Sequence, residues 1–185
     1  PTSSVHRAVI GWSDFVRRTA SSARYRDSVL DITTPARRIR LEAVHNFRDM
    51  GGYATADGRE TKWATLYRAD GLYRASPDDV AVIESLGLRT VIDLRTEGEL
   101  TERGSYRPHT SAAFHHVPLM DLTWTASDHP EFDHDVEFLV WAYRDMLRVG
   151  AQRIADTFHL LAAPGALPAV FHCAAGKDRT GLVAA

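Results

Sequence analysis

His172-Cys173-Ala174-Ala175-Gly176-Lys177-Asp178-Arg179-Thr180-Gly181 is the stretch on which the reading of this chain turns. Before it runs Pro168-Ala169-Val170-Phe171, a short apolar segment of the kind that forms a buried strand; after it comes Leu182-Val183-Ala184-Ala185, which opens like a helix. The local order is strand, tight loop, helix. A glycine-bearing loop that feeds a helix N-terminus turns several backbone N–H groups toward one point, and the helix dipole adds positive potential there, which suits an oxyanion such as phosphate. Arg179 closes such a ring with a planar fork onto two oxygens. Cys173 then lies at the base with its sulfur toward the phosphorus, and the field that holds phosphate also favours thiolate over thiol. Thr180 is placed to donate a hydroxyl hydrogen bond to that sulfur. The candidate nucleophile is therefore Cys173, within a cradle built from Ala174, Ala175, Gly176, Lys177, Arg179 and Thr180.

A cysteine, five residues, an arginine and a threonine, with histidine in front, resembles the signature of the cysteine-dependent protein tyrosine phosphatase superfamily. The interior Ala174-Ala175-Gly176-Lys177-Asp178 is similar to that of the bacterial and fungal tyrosine/serine phosphatase branch, the PtpB-like enzymes. Far upstream, Asn46-Phe47-Arg48-Asp49, Gly51-Gly52-Tyr53, Asp57-Gly58 and Tyr67-Arg68 follow the N-terminal signature of the same branch, and Val91-Ile92-Asp93-Leu94-Arg95 followed by glutamate looks like it too. The resemblance covers residues 39–185. It implies hydrolysis of a phosphomonoester through a phosphocysteine intermediate, with no metal or other cofactor. Phosphotyrosine proteins lead as substrates, and phosphoserine/threonine proteins stay open. Lys177 keeps phosphoinositides open as well, because Gly-Lys-x-Arg loops resemble those of lipid phosphatases.

An alkoxide leaving group needs a proton, so the reaction asks for a general acid. Asp121 lies in the loop after an expected strand, where most of the superfamily places a mobile aspartate. Asp178 lies within the cradle, where the resembling branch carries one, and it is favoured here. The bland reading of Asp178 is a salt-bridge partner of Lys177 or Arg179, and that of Asp121 a turn residue. The rival reaction class is a rhodanese-like sulfurtransferase, and the non-enzymatic rival an inactive phosphate-binding module.

The rest of the composition narrows the field. The 185 residues, with 44% hydrophobic and 25% charged, suit one globular domain. A net charge of −2 supplies no bulk basic field for nucleic acid. No apolar run is long enough for a transmembrane segment. One cysteine excludes an intrachain disulfide. The nine histidines, among them His109, His115, His116, His129 and His134, show no zinc-ligand spacing. No basic start followed by an apolar core opens the chain, so a cytoplasmic location is expected, with signal-independent secretion left open by the resemblance. Residues 1–38 read as an N-terminal extension in which Val9, Ile10, Trp12, Phe15 and Val16 share one helical face. Residues 39–185 read as the phosphatase domain, and the stop at Ala185, one turn into a helix, reads as a truncation. Oligomeric state has no signal in the sequence.

Between these landmarks the pattern is alternating strand and helix. Ile39–Val44 alternates apolar and polar as a strand does, and Thr65–Arg68 reads as another. Arg48, Asp49 and Arg68 read as an ion-pair network bracing the loop, ahead of direct catalysis. Ser76-Pro77-Asp78-Asp79 is a helix start, and Gly87 its stop. Thr90–Leu94 is a buried strand whose Asp93 needs a partner, with Arg95 a candidate. Phe114–Leu119 is a further strand, and residues 122–132 suit a loop or lid. Val136, Leu139, Val140, Tyr143, Met146 and Leu147, then Ile154, Phe158 and Leu161 beyond Gly150, predict a helical hairpin with a core-facing stripe. The expected fold is α/β: a mainly parallel central sheet flanked by helices, with the cysteine loop between a strand C-terminus and a helix N-terminus.

Overall fold

The computed structural model describes residues 36–106, 111–122 and 130–185. The expected apolar face at residues 9–16, His109, and Trp124 and His129 of the expected loop fall outside that range.

Five strands form one sheet in the order β1-β2-β5-β3-β4, with β1 at Arg48–Asp49, β2 at Leu66–Ala69, β3 at Thr90–Asp93, β4 at Ala113–His116 and β5 at Ala169–His172. All neighbours are parallel except β1, which runs antiparallel to β2. The mainly parallel α/β sheet is thus as expected. The strand that leads into the cysteine loop is the central one. Its residues are buried throughout, as are those of β3, as a sheet covered on both faces requires. Alternate residues feed two cores. Tyr67, Val91 and Val170 join Val44, Phe47, Leu72 and Ile83 on one face. Ile92, Ala169 and Phe171 join Leu119, Leu161, Cys173 and Val183 on the other.

Among the described residues four α-helices flank the sheet: α1 (Pro77–Ser85), α2 (Glu97–Arg103), α3 (Asp135–Ala162) and α4 (Asp178–Ala184). The signals for α1 act as read. Ser76 and Asp79 form a reciprocal capping box, Pro77 opens the helix, and Gly87 sits beyond its end at φ +64°. α2 carries a second capping box, between Thr96 and Glu99.

Two expectations are corrected. Ile39–Val44 is not a strand. The backbone N–H groups of Glu42 and Ala43 donate to the carboxylate of Asp79 at 2.5 and 2.8 Å, so a side chain on α1 takes the donors a strand partner would need. The apolar alternation is real, but Ile39, Leu41 and Val44 meet the core from irregular backbone. The helical hairpin is one continuous helix of 28 residues, α3. Gly150 does not break it: a Cβ there would stand 2.7 Å from the carbonyl oxygen of Leu119, so glycine lets the helix lie against the chain leaving β4. The buried side of α3 keeps only part of the expected stripe: Met146 and Leu161 lie on it with Ala142, Gly150 and Thr157, while Val136, Val140, Leu147 and Phe158 are exposed. No helix among the described residues is long and apolar enough to cross a membrane.

Candidate active site

The loop after β5 is held from outside by its carbonyls. Gly71 N–H donates to Ala174 O at 3.1 Å. The Asn46 amide donates to Ala175 O and Gly176 O at 3.1 and 3.0 Å. Arg68 Nη2 donates to Gly176 O at 2.8 Å and reaches Lys177 O at 3.4 Å. In a planar trans peptide the N–H points opposite to the C=O. Four successive carbonyls turned outward therefore turn the N–H groups of Ala175, Gly176, Lys177 and Asp178 the other way, as an anion nest requires. Gly176 adopts φ +63°, and a Cβ on it would lie 2.4 Å from Ala69 O. That backbone approach and that φ together exclude any side chain.

The brace has its own support. Asp70 accepts from the backbone N–H groups of His45 and Asn46 at 3.2 and 2.9 Å, which fixes the amide of Asn46 against the loop. Asp49 accepts from Gly51 N–H and Ala64 N–H. For Asp49 and Arg68 the expected ion-pair network with Arg48 is thus replaced by hydrogen bonds to backbone, because the loop offers carbonyls to the Arg68 guanidinium, and Gly51 and Ala64 offer amides to the Asp49 carboxylate; the buried Nε of Arg48 has no hydrogen-bond partner among the described residues. Burial, then the neighbouring Arg48, pulls the Arg68 guanidinium below its ordinary value.

Cys173 is buried at the end of β5. Arg179, in the first turn of α4, is 8% exposed and meets Glu99 of α2 in a two-point pair, Nη1–Oε2 at 2.5 Å and Nη2–Oε1 at 2.9 Å. Burial alone would lower the guanidinium, but Glu99, with the adjoining Cys173, outweighs it and raises Arg179 above its ordinary value. Burial likewise pushes Glu99 up, and the hydrogen bonds from Arg179 overcome it, leaving the carboxyl below its ordinary range. Glu99 occupies the Nη1/Nη2 end of the guanidinium, which leaves the Nε edge for an oxyanion.

Behind the nucleophile lies a second buried pair. Arg95 and Asp93 are both fully buried and joined by Nη2–Oδ2 at 2.6 Å, with Nε 3.0 Å from Oδ1, as the sequence suggested for Asp93. Burial raises Asp93, and Arg95 more than reverses this. His172 sits with Nε2 3.7 Å from Asp93 Oδ2; complete burial drives its imidazole below the ordinary value and keeps it neutral.

Asp178 opens α4 and accepts a hydrogen bond from the Tyr143 hydroxyl of α3 at 2.5 Å. Neither Lys177 nor Arg179 pairs with it among the described residues: Lys177 is exposed and Arg179 is turned to Glu99. Asp121 is exposed in the loop leaving β4, at the same end of the parallel strands as the cysteine loop. Thr180 is fully buried, and its Oγ1 has no hydrogen-bond partner among the described residues, so the hydrogen bond expected from it to the Cys173 sulfur is not formed. No group of three or more His, Cys, Asp or Glu side chains among those residues is placed to hold a metal ion.

Sequence reasoning did not single out Asn46, Glu99 or Tyr143 in these positions. Glu99 carried a signal, the Thr-x-x-Glu capping box, but that pattern gives no long-range partner. Tyr143 was hidden in an apolar stripe.

Compared with known proteins, residues 39–185 match the sequence profile of the tyrosine phosphatase family. The chain is 33% identical over 154 residues to a Cupriavidus necator protein named as a tyrosine-protein phosphatase, covering 78% of this chain and 54% of that one. It is 30% identical over 173 residues to the triple specificity protein phosphatase PtpB of Mycobacterium tuberculosis, covering 78% of this chain and 60% of that one. The chain thus spans between half and two thirds of the length of these curated relatives.

Proposed function

The chain belongs to the tyrosine phosphatase family, and on that premise we propose that it hydrolyses phosphomonoesters through a phosphocysteine intermediate, with phosphotyrosine proteins as the leading substrates and phosphoserine/threonine proteins beside them. In the first step the Cys173 thiolate attacks phosphorus in line: the S–P bond forms, the P–O bond to the leaving group breaks, and the departing oxygen takes a proton from Asp178. In the second step water attacks phosphorus, Asp178 takes a proton from it, and the S–P bond breaks to release phosphate and regenerate the thiolate. The N–H groups of the loop and the guanidinium of Arg179 stabilise the equatorial oxygens in both transition states. Asp121 is the competing acid. No step asks for a metal ion.

The observation that carries this reading is the pairing of an outward-turned loop with a guanidinium fixed by Glu99 beside a buried cysteine. Such fixing spares the reorganisation that a free arginine undergoes when the phosphoryl group arrives. The exposed Lys177 within the loop favours phosphoinositides as a second substrate class. A cytoplasmic location is part of the same proposal.

A panel of phosphotyrosine, phosphoserine and phosphothreonine peptides and phosphoinositide vesicles, run with wild type and Cys173→Ser, tests it. Turnover inhibited by vanadate and abolished by the substitution is expected. Turnover surviving Cys173→Ser, or activity with thiosulfate in place of p-nitrophenyl phosphate, overturns it.

A further inference from the structure

A carboxylic acid has two oxygens, and as a proton donor it works only when the protonated one faces the leaving group. Asp178 is the first residue of α4, and its Oδ1 is taken by the Tyr143 hydroxyl at 2.5 Å. Tyr143 stands on α3, two turns before Gly150, the glycine that seats this helix against Leu119. Burial, followed by the hydrogen bond to Asp178, raises the Tyr143 phenol above its ordinary value of 10.0, so the hydroxyl keeps its proton and serves as a donor.

We propose that Tyr143 is a positioning residue for the proton transfer: by donating to Oδ1 of Asp178 it leaves Oδ2 as the oxygen that carries the proton and presents it to the departing alkoxide. The inference rests on the assignment of Asp178 as the acid under Proposed function. As the P–O bond breaks, the proton moves from Oδ2 to the leaving oxygen, and the carboxylate left behind keeps its hydrogen bond from Tyr143. In the second step Oδ2 takes a proton from the attacking water, and the starting state is restored. A neutral phenol suits this task better than a cation. A lysine or arginine in its place would hold the carboxylate ionised and so empty it of the proton. The two cations flanking Asp178 in sequence are turned elsewhere.

The test uses kcat/KM, which reports the first chemical step, for an aryl substrate (p-nitrophenyl phosphate) and an alkyl substrate (a phosphoserine peptide). Tyr143→Phe, Asp178→Asn, the double variant and Asp121→Asn are compared. Tyr143→Phe should lower the alkyl rate about tenfold, the kinetic equivalent of one hydrogen bond of about 1.4 kcal/mol, and the aryl rate clearly less. In the Asp178→Asn background the same change should add nothing further. Equal losses on both substrates, or a loss that persists undiminished without the Asp178 carboxyl, assign Tyr143 a packing role and overturn the inference. The underlying reading fails separately: Asp178→Asn then shows no leaving-group dependence while Asp121→Asn does. A thermal melt of Tyr143→Phe, with native-like unfolding expected, keeps a folding defect from passing as a kinetic one.

Discussion

Glu99 reaches Arg179 from eighty residues earlier in the chain and meets it in a largely buried contact. Removing one member of such a pair leaves the other buried without compensation, which costs about 3–5 kcal/mol. Glu99→Gln is therefore expected to lower the melting temperature by about 10 °C, and to reduce kcat/KM for p-nitrophenyl phosphate by one to two orders of magnitude, because Arg179 is no longer fixed before phosphate arrives. A variant that melts and turns over like wild type would mean the pair contributes nothing to either. The same residues mark how far the sequence could be read. Cys173, Arg179 and the loop lie within one short stretch, so their spacing alone sufficed to bring them together. Glu99, Asn46 and Tyr143 come from three other segments, and nothing local in their surroundings says that they converge. The Asp93–Arg95 pair was readable because its members are two positions apart and an acid inside an apolar strand demands a partner.

Among the elements, those with explicit start and stop chemistry were legible and those defined by tertiary contact were not. α1 announces itself through Ser76, Pro77 and Gly87, and β3 and β5 through unbroken apolar runs. Ile39–Val44 has the right alternation, yet Asp79 captures its amides, a contact spanning 36 and 37 positions. In α3 the large apolar residues suggested the core face, and Met146 and Leu161 do lie there, but Ala142 and Gly150 share it, since close helix–backbone approach selects for small side chains. Gly150 makes this testable, because two effects oppose each other there. In a helix interior, replacing glycine by alanine stabilises by about 1 kcal/mol. Here the added methyl would stand 2.7 Å from Leu119 O and 3.1 Å from Leu119 Cγ, and a backbone atom cannot step aside as a side-chain tip can. Overpacking of this sort costs about 1–3 kcal/mol. Gly150→Ala should therefore lower the denaturation midpoint, against its helix propensity. A raised midpoint would show that α3 does not depend on this close seat.

At the scale of the whole molecule, the buried ionisable groups set how stability varies with pH. His172 is fully buried, and burial holds its imidazole below the ordinary value of 6.5. The unfolded chain therefore takes up that proton first as pH falls, and stability that is complete above about 6.5 declines below it. The slope for one proton is at most about 1.4 kcal/mol per pH unit. Glu99 and Asp93 add a second stage. Both are held below their ordinary values of 4.5 and 3.8 by Arg179 and Arg95, in spite of burial, so the stability they contribute is present above those values and is lost as pH drops through and below them. On the alkaline side the sign reverses. Tyr67, Tyr106 and Tyr143 are raised above 10.0, first by burial, so the folded state keeps protons that the unfolded chain gives up, and stability falls above about pH 10. Melting temperature should thus form a plateau from about pH 7 to 10, decline by a few degrees per unit between 6.5 and 5, and fall more steeply below 4.5. Replacing His172 by Gln should remove the first decline while leaving the steep acid stage, because it deletes the imidazole but neither carboxylate pair. A melting temperature that stays level from pH 7 to 5 in the wild-type chain would mean that His172 accepts its proton without unfolding. The core behind Cys173 would then tolerate a charge that its burial, beside Arg95, should exclude.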